Sequence, residues 1–342
     1  MFNNIFEKPI YYSEIQQQTT PNILKKLAQL LGTEIKNGRL EIPEKFGKGY
    51  CTGFVFNEHI RMIISNYELH KDIIIENPDI NLNGRTIFFK FQHIFPASET
   101  LQARNQSKPI PSVLIATSRL NADDVISIHT NTATVNIEID AGYLNGLFDL
   151  QEQSPVLQSL LQNAQPLLFE QIIYPSLQKI VDEILNEPVD EIFKLFFLRV
   201  KAEELICRLL MELEKRNEKH LYPLNVRDIK IIYKIKEQML EHLEIPPVIR
   251  DLAISAGMSA SKLKRLFKQI FGNSIFSYYQ GFRMKEAARL LREKKLSVSE
   301  VGYQLGFANL SHFSRIFYEH IGMKPKRYSA FNHDKRIKIE QD

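Results

Sequence analysis

Arg265 and Arg315 stand 50 residues apart in closely matched settings. Leu252-Ala253-Ile254-Ser255-Ala256-Gly257-Met258-Ser259 precedes Arg265-Leu266-Phe267 and Gly272. Val301-Gly302-Tyr303-Gln304-Leu305-Gly306-Phe307-Ala308 precedes Arg315-Ile316-Phe317 and Gly322. The offset is 49 residues between the first glycines and 50 from the arginines onward. A guanidinium keeps its charge and offers a planar fork of donors, which matches the O6 and N7 acceptors of guanine. Lys264 offers the same contact less rigidly. Ser261, Ser311 and Ser314 are small donors and acceptors that adapt to several base edges, and Leu310 suits a thymine methyl. Lys262, Lys268, Lys285, Lys324, Lys326 and Arg327 suit phosphate, which supplies affinity without sequence information. The competing reading is that these are solvated surface charges, or that an arginine is salt-bridged within its own module.

The elements that would position these groups follow from local signals. Each repeat reads as a helix, a glycine turn and a second helix, so a helix-turn-helix is written twice, and double-stranded DNA becomes the expected partner. A helix over 229–241 precedes the first copy. Pro246-Pro247 then opens a new helix with Val248, Leu252 and Ala253 on its core face. Gly257 ends it where a positive φ is cheap, and Ser259 caps the next. That helix turns Leu263, Leu266, Phe267 and Ile270 inward. A long helix over 274–293 connects the halves. Ser297 caps the second copy, with Val298, Val301 and Leu305 inward and a turn at Gly306. The following helix starts near Asn309 with Phe313, Ile316, Phe317 and Ile321 in its core, and a short last helix carries Pro325, Arg327 and Tyr328.

Residues 228–331 resemble the double helix-turn-helix domain of AraC/XylS-type bacterial transcription regulators. The resemblance rests on Ile249–Met258, Leu263-Lys264-Arg265-Leu266-Phe267-Lys268, Gly272, Arg283-Met284, Ala287-Ala288, Leu290-Leu291 and Val298–Phe307. It continues through His312-Phe313-Ser314-Arg315-Ile316-Phe317, Gly322, Pro325 and Tyr328. It implies that two recognition helices enter successive major grooves on one DNA face. Ser261, Lys264 and Arg265 would read bases from the first, and Leu310, Ser311, Ser314 and Arg315 from the second. The first helix departs from the pattern in having no aromatic or amide side chain at its outward N-terminal positions, so specificity there rests on Lys264 and Arg265. The resemblance also implies RNA polymerase as a partner, an activator as one outcome with repression left open, and a cupin-like sensor arm. The run Pro43 to Ser65 is similar to siderophore-responsive members, which implies a siderophore or other iron-linked effector.

Bulk properties fit this division. Residues 223–342 carry a formal charge of +10 and residues 1–222 carry −6. A basic module beside an acidic one is the electrostatic footprint expected of a DNA-binding half joined to a half with another task. The chain is 44% hydrophobic and 25% charged over 342 residues. It has no apolar run of membrane-spanning length and no signal-peptide pattern at Met1-Phe2-Asn3-Asn4, and only two cysteines, Cys51 and Cys207. A reducing cytoplasm and no membrane association are expected.

A short helix is expected over 22–31, between Pro21 and Gly32. Residues 39–140 have β texture. Strands are expected at Thr52–Phe56, Ile60–Ser65, Asp72–Glu76, Thr86–Gln92, Ser112–Thr117, Asp124–His129 and Thr132–Asp140, which suggests a sandwich or barrel. From 141 the texture turns helical. The long run Val189 to Lys219 places Ile192, Leu195, Phe196, Val200, Leu205, Leu209, Leu210 and Leu213 at helical spacing. That stripe either packs on its own domain or pairs two copies. Enzyme readings find little support. His59, His70, His93 and His129 stand alone with no His-x-His pair, and there is no glycine-rich phosphate loop or nucleophile motif. No metal and no cofactor is expected. Cys51 reads as a small buried hydrophobe.

The expected architecture is a multidomain α+β chain. A β-barrel or sandwich sensor, cupin-like, spans 1–140. A helical linker or dimerisation region spans 141–222, an all-α double helix-turn-helix spans 223–331, and a basic tail spans 332–342. The expected function is sequence-specific regulation of transcription by a homodimer under small-molecule control. The alternatives are a constitutive DNA-binding protein whose β domain only dimerises, and a cupin-type enzyme with an appended DNA-binding domain.

Overall fold

The structure is a computed structural model that describes residues 20–71, 85–95, 111–120, 131–148, 153–293 and 296–330. It divides into two compact units, Met1–Val226 and Arg227–Asp342. Among the described residues no helix is long and apolar enough to cross a membrane.

The first unit is built on one antiparallel sheet of eight strands. These are β1 (Ile35–Lys36), β2 (Arg39–Glu41), β3 (Gly47–Val55), β4 (Ile60–Leu69), β5 (Thr86–Gln92), β6 (Ser112–Thr117), β7 (Asn131–Asp140) and β8 (Leu168–Ile172). The spatial order is β1-β2-β3-β4-β7-β5-β6-β8. Among the described residues β1 and β8 do not pair, so the sheet is open. The barrel or sandwich expected from strand count is corrected to this open sheet. The expected strands at 72–76 and 124–129 lie outside the described residues.

The physical reason for the open form is visible in what covers the sheet. Alternation sends Met62, Ile137, Phe89, Ile115 and Phe169, which are aligned across neighbouring strands, to one face. There they share a core with Leu144, Val156, Leu160, Leu177, Val181, Leu205 and Leu209. These come from α2 (Ala141–Asn145), α3 (Pro155–Gln162), α4 (Pro175–Asn186) and α5 (Glu191–Glu214). A helical layer thus buries the apolar face that a second sheet buries in a sandwich. The stretch 141–222, read from sequence as a helical linker, therefore supplies both strand β8 and much of this core.

At the other end, α1 (Asn22–Leu31) covers the opposite face. It follows Pro21 and ends at Gly32, whose φ is 62°. Leu24, Leu27 and Leu31 pack with Leu40, Cys51, Tyr67 and Leu69. Gly53 admits the helix, because a side chain there would press on Pro21 and Leu24.

α5 explains the ambiguity of its apolar stripe. Leu198, Ala202, Leu205, Ile206, Leu209, Leu210 and Leu213 are buried. Ile192, Phe193, Leu195, Phe196 and Val200 are exposed instead. Two stripes share one helix, and only one of them meets the sheet.

Two expectations follow. Phe169→Ala should cost about 3–5 kcal/mol, because it empties a fully buried aromatic site at the core of the sheet; urea unfolding followed by circular dichroism measures this. Cys207 is exposed, whereas burial pushes the Cys51 thiol up to about 11. Iodoacetamide at neutral pH should therefore label one cysteine in the native protein and both after denaturation, as counted by mass spectrometry.

Candidate nucleic-acid interface

The second unit is helical. It contains α6 (Val226–Glu241), α7 (Ile249–Ala256), α8 (Ala260–Phe271), α9 (Ile275–Glu293), α10 (Val298–Gln304) and α11 (Leu310–Ile321), and residues 325–330 are helical as well. The boundaries follow cap chemistry. Gly257 closes α7 at φ 60°, and the Ser259 hydroxyl accepts from the Lys262 amide to open α8. Ser297 and Glu300 form a reciprocal capping box at α10. The Asn309 side chain accepts from the amides of Ser311 and His312 at the start of α11.

α7–α8 and α10–α11 are the two helix-turn-helix pairs, and α9 joins them. Tyr279 and Arg283 lie one turn apart on α9 and reach in opposite directions along the chain. The Tyr279 hydroxyl donates to the Leu243 carbonyl at 2.6 Å, in the segment before the first pair. The buried Arg283 guanidinium donates from Nε at 2.8 Å, and from a second nitrogen, to the Leu305 carbonyl at the turn of the second pair. It also lies 3.8 Å from the Phe307 ring centroid. Gly306, at φ 75°, sits so close to Glu244 that a methyl there would overlap its carbonyl oxygen. Burial lowers the Arg283 pKa and raises that of Tyr279.

The residues expected to read bases occupy the second helix of each pair, α8 and α11. Ser261, Lys264 and Arg265 are exposed on the first half of α8. Ser311 and Arg315 are exposed on α11, with Ser314 half-buried. Arg315 makes no hydrogen bond or ion pair among the described residues, whereas Arg265 is already engaged in an interaction of its own. Leu310 is half-buried, and Gly302 is so close to it that a Cβ there would press on its side chain. It therefore packs between α10 and α11. Lys268, Lys285, Lys324, Lys326 and Arg327 are exposed. Lys262 is not free, since its ammonium bonds Asp228 on α6 at 2.9 Å.

Some core expectations are corrected. Val248 is exposed because it is the cap residue before α7 rather than part of its inner face. Val298, Ile316 and Ile321 are only half-buried. The central role of Arg283 had no local signal, because its acceptor lies 22 residues ahead.

The comparisons with known proteins agree with this geometry. Residues 252–330 match a family described as a helix-turn-helix domain. The HTH-type transcriptional regulator GbdR of Pseudomonas aeruginosa is 31% identical over 108 residues, 32% of this chain and 29% of that protein. The HTH-type transcriptional regulator GlxA of Rhizobium meliloti is 35% identical over 83 residues, 24% of this chain and 26% of that one. A solved transcriptional regulator from Chromobacterium violaceum, described by its AraC-type DNA-binding domain, is 29% identical. It covers 30% of this chain and 93% of its own, with a TM-score of 0.29. The chain thus spans under a third of the length of these curated relatives. Residues 252–330 of the second unit carry a helix-turn-helix domain. The curated relatives that share it here are transcriptional regulators.

Arg283→Met should destabilise the second unit by about 1–3 kcal/mol, since it leaves the Leu305 carbonyl without its donor. Hydrogen exchange should show the loss first at residues 301–307. Equal protection there in variant and wild type would mean that the guanidinium does not hold the turn.

Proposed function

We propose that this protein is a sequence-specific DNA-binding transcription regulator. One observation carries the reading. Two helix-turn-helix pairs, tied to a single connecting helix, each present an exposed arginine at the corresponding point of the second helix. A major groove admits one helix, and its N-terminal turns meet the base edges. Ser261, Lys264 and Arg265 read one half of the site, and Ser311, Ser314 and Arg315 the other, with Leu310 touching a thymine methyl. Lys268, Lys285, Lys324, Lys326 and Arg327 contact phosphates. Lys262 joins them only by giving up Asp228.

The first unit is the sensing part, which binds a small molecule and biases DNA binding. The resemblance to AraC/XylS-type regulators supports RNA polymerase as a partner and an iron-linked effector as the first class to try. The protein acts as a homodimer through the free end of α5, where Ile192 and Phe196 are 83% and 70% exposed. Large apolar side chains grouped on one helix end mark an association surface.

Selection of sites from random DNA by the full-length protein at about 150 mM salt tests the reading. An asymmetric site with two elements about one helical turn apart is the expected result. Salt-sensitive binding without enrichment counts against it. Arg315→Ala should cost about 1–3 kcal/mol on the selected site and relax base preference in one element. Lys324→Ala should weaken selected and random DNA alike and flatten the salt dependence. Phe196→Glu should convert a dimer to a monomer in sedimentation; an unchanged mass would remove α5 from the interface.

A further inference from the structure

We propose that His312 is a further DNA-contacting residue, whose imidazole donates to a backbone phosphate beside the second half of the site. This rests on the reading of the protein as a DNA-binding regulator.

The argument begins with the repeat. Ser259 caps α8, and Asn309, 50 residues on, caps α11. Counted from these caps, Ser261 matches Ser311, Arg265 matches Arg315, and Lys262 matches His312. Both halves therefore place a nitrogen donor on the first turn of the second helix. The first turn is also where unpaired amides and the helix dipole favour an anion.

The place of His312 around α11 separates phosphate from base. Phe313 and Phe317 are the buried side of that helix. Arg315 points opposite to them, and His312, three residues earlier, lies about 60° round the helix from it. A side chain at the centre of the outward face meets the floor of a groove, where the base edges are. One on the flank meets the wall, which is phosphate.

The two matched positions are held differently. In α8 the Lys262 ammonium bonds Asp228 on α6 at 2.9 Å. In α11 His312 is exposed, and its side chain has no hydrogen bond or ion pair among the described residues. An aromatic contact fixes the ring instead. Its centroid lies 5.8 Å from that of Phe307, with the planes at 63°. Phe307 is itself buried, held between the Arg283 guanidinium at 3.8 Å and the Phe313 ring at 5.2 Å. The backbone is fixed as well, since the Asn309 side chain accepts from the His312 amide at 3.0 Å. The imidazole is thus positioned by its neighbours while its nitrogens stay uncommitted, which lowers the cost of forming a new contact. An imidazole keeps a ring N–H in either protonation state, so donation to a phosphate oxygen does not depend on its charge.

Binding of the full-length protein to the selected site, with single phosphates replaced in turn by neutral methylphosphonate, tests this. His312→Leu keeps an apolar contact with Phe307 but removes the donor. It should bind selected and random DNA alike about three- to tenfold more weakly. It should also be indifferent to replacement at one phosphate beside the second element to which the wild type is sensitive. His312→Lys, which copies the first half, should restore binding to both DNAs. Carbethoxylation by diethyl pyrocarbonate, read by mass spectrometry on the wild-type protein, supplies a readout independent of variant folding. DNA should slow it at His312 and leave the exposed His220 unchanged. Wild-type affinity and phosphate profile in His312→Leu, or no protection of His312, overturns the proposal. So does a loss confined to the selected site with relaxed base preference, which would make His312 a base reader. If site selection succeeds and Arg315→Ala relaxes base preference, such a failure removes the His312 contact alone. A failure of site selection removes the regulator reading itself.

Discussion

The second unit depends on where one buried guanidinium finds its acceptor. Arg283 must be satisfied, because an unpaired charge inside a protein is far more costly than a missing surface contact. It meets that demand at the Leu305 carbonyl, which the end of α10 leaves without an intrahelical partner. Phe307 lies against the same guanidinium, and Gly306 lets the turn close onto the Glu244 carbonyl. Tyr279, one turn earlier, fixes the segment at Leu243. Four residues thereby hold the turn of the second helix pair against both the connecting helix and the segment that precedes the first pair. On the proposed reading, two helices that address successive grooves gain from a separation set before DNA arrives. Rigidity of this kind lowers the ordering cost of binding.

The first unit obeys a different constraint, the two-residue period of its strands. One face is apolar on every strand from β4 to β8 and is sealed by helices. The other face is divided. At one end α1 packs on it, and across the centre it carries polar groups among apolar walls. A slip of one residue in any strand would exchange these faces and put Lys90 or Glu138 into the hydrophobic core.

How far this was legible in the sequence differs by element. Cap residues act within three or four positions of themselves, so Gly257, Ser259, Ser297 and Gly306 marked the helix-turn-helix boundaries clearly. Strands β5 and β6 were placed at their observed bounds, because runs of β-branched and aromatic residues end there in polar or turn residues. β8 was hidden. Leu168-Phe169-Glu170-Gln171-Ile172 is short, lies in helical surroundings, and buries Glu170 beside Leu168 on the same face, so its alternation does not separate polar from apolar. The open sheet was illegible for a related reason, since strand count says nothing about which layer covers a face. Within the candidate interface, the exposed arginines were legible from the repeat. The packing of Leu310 beside Gly302 and the Lys262–Asp228 pair were not, because both depend on contacts across helices.

These differences bear on how the two arginines should be weighed. Matched positions in a repeat suggest matched roles, but the surroundings have diverged. Arg315 stands without a partner among the described residues, near a half-buried Ser314, on a helix capped by Asn309. Arg265 already has an interaction and shares its helix with Lys264 and the ion-paired Lys262. A guanidinium that must first leave an intramolecular partner gains less from a base than one that is uncommitted. On the proposed reading, the second helix pair therefore discriminates bases through its arginine more than the first does. The first, with more cationic side chains near its N-terminus, adds affinity through phosphate. Such a division of labour would follow from local electrostatics rather than from the repeat itself.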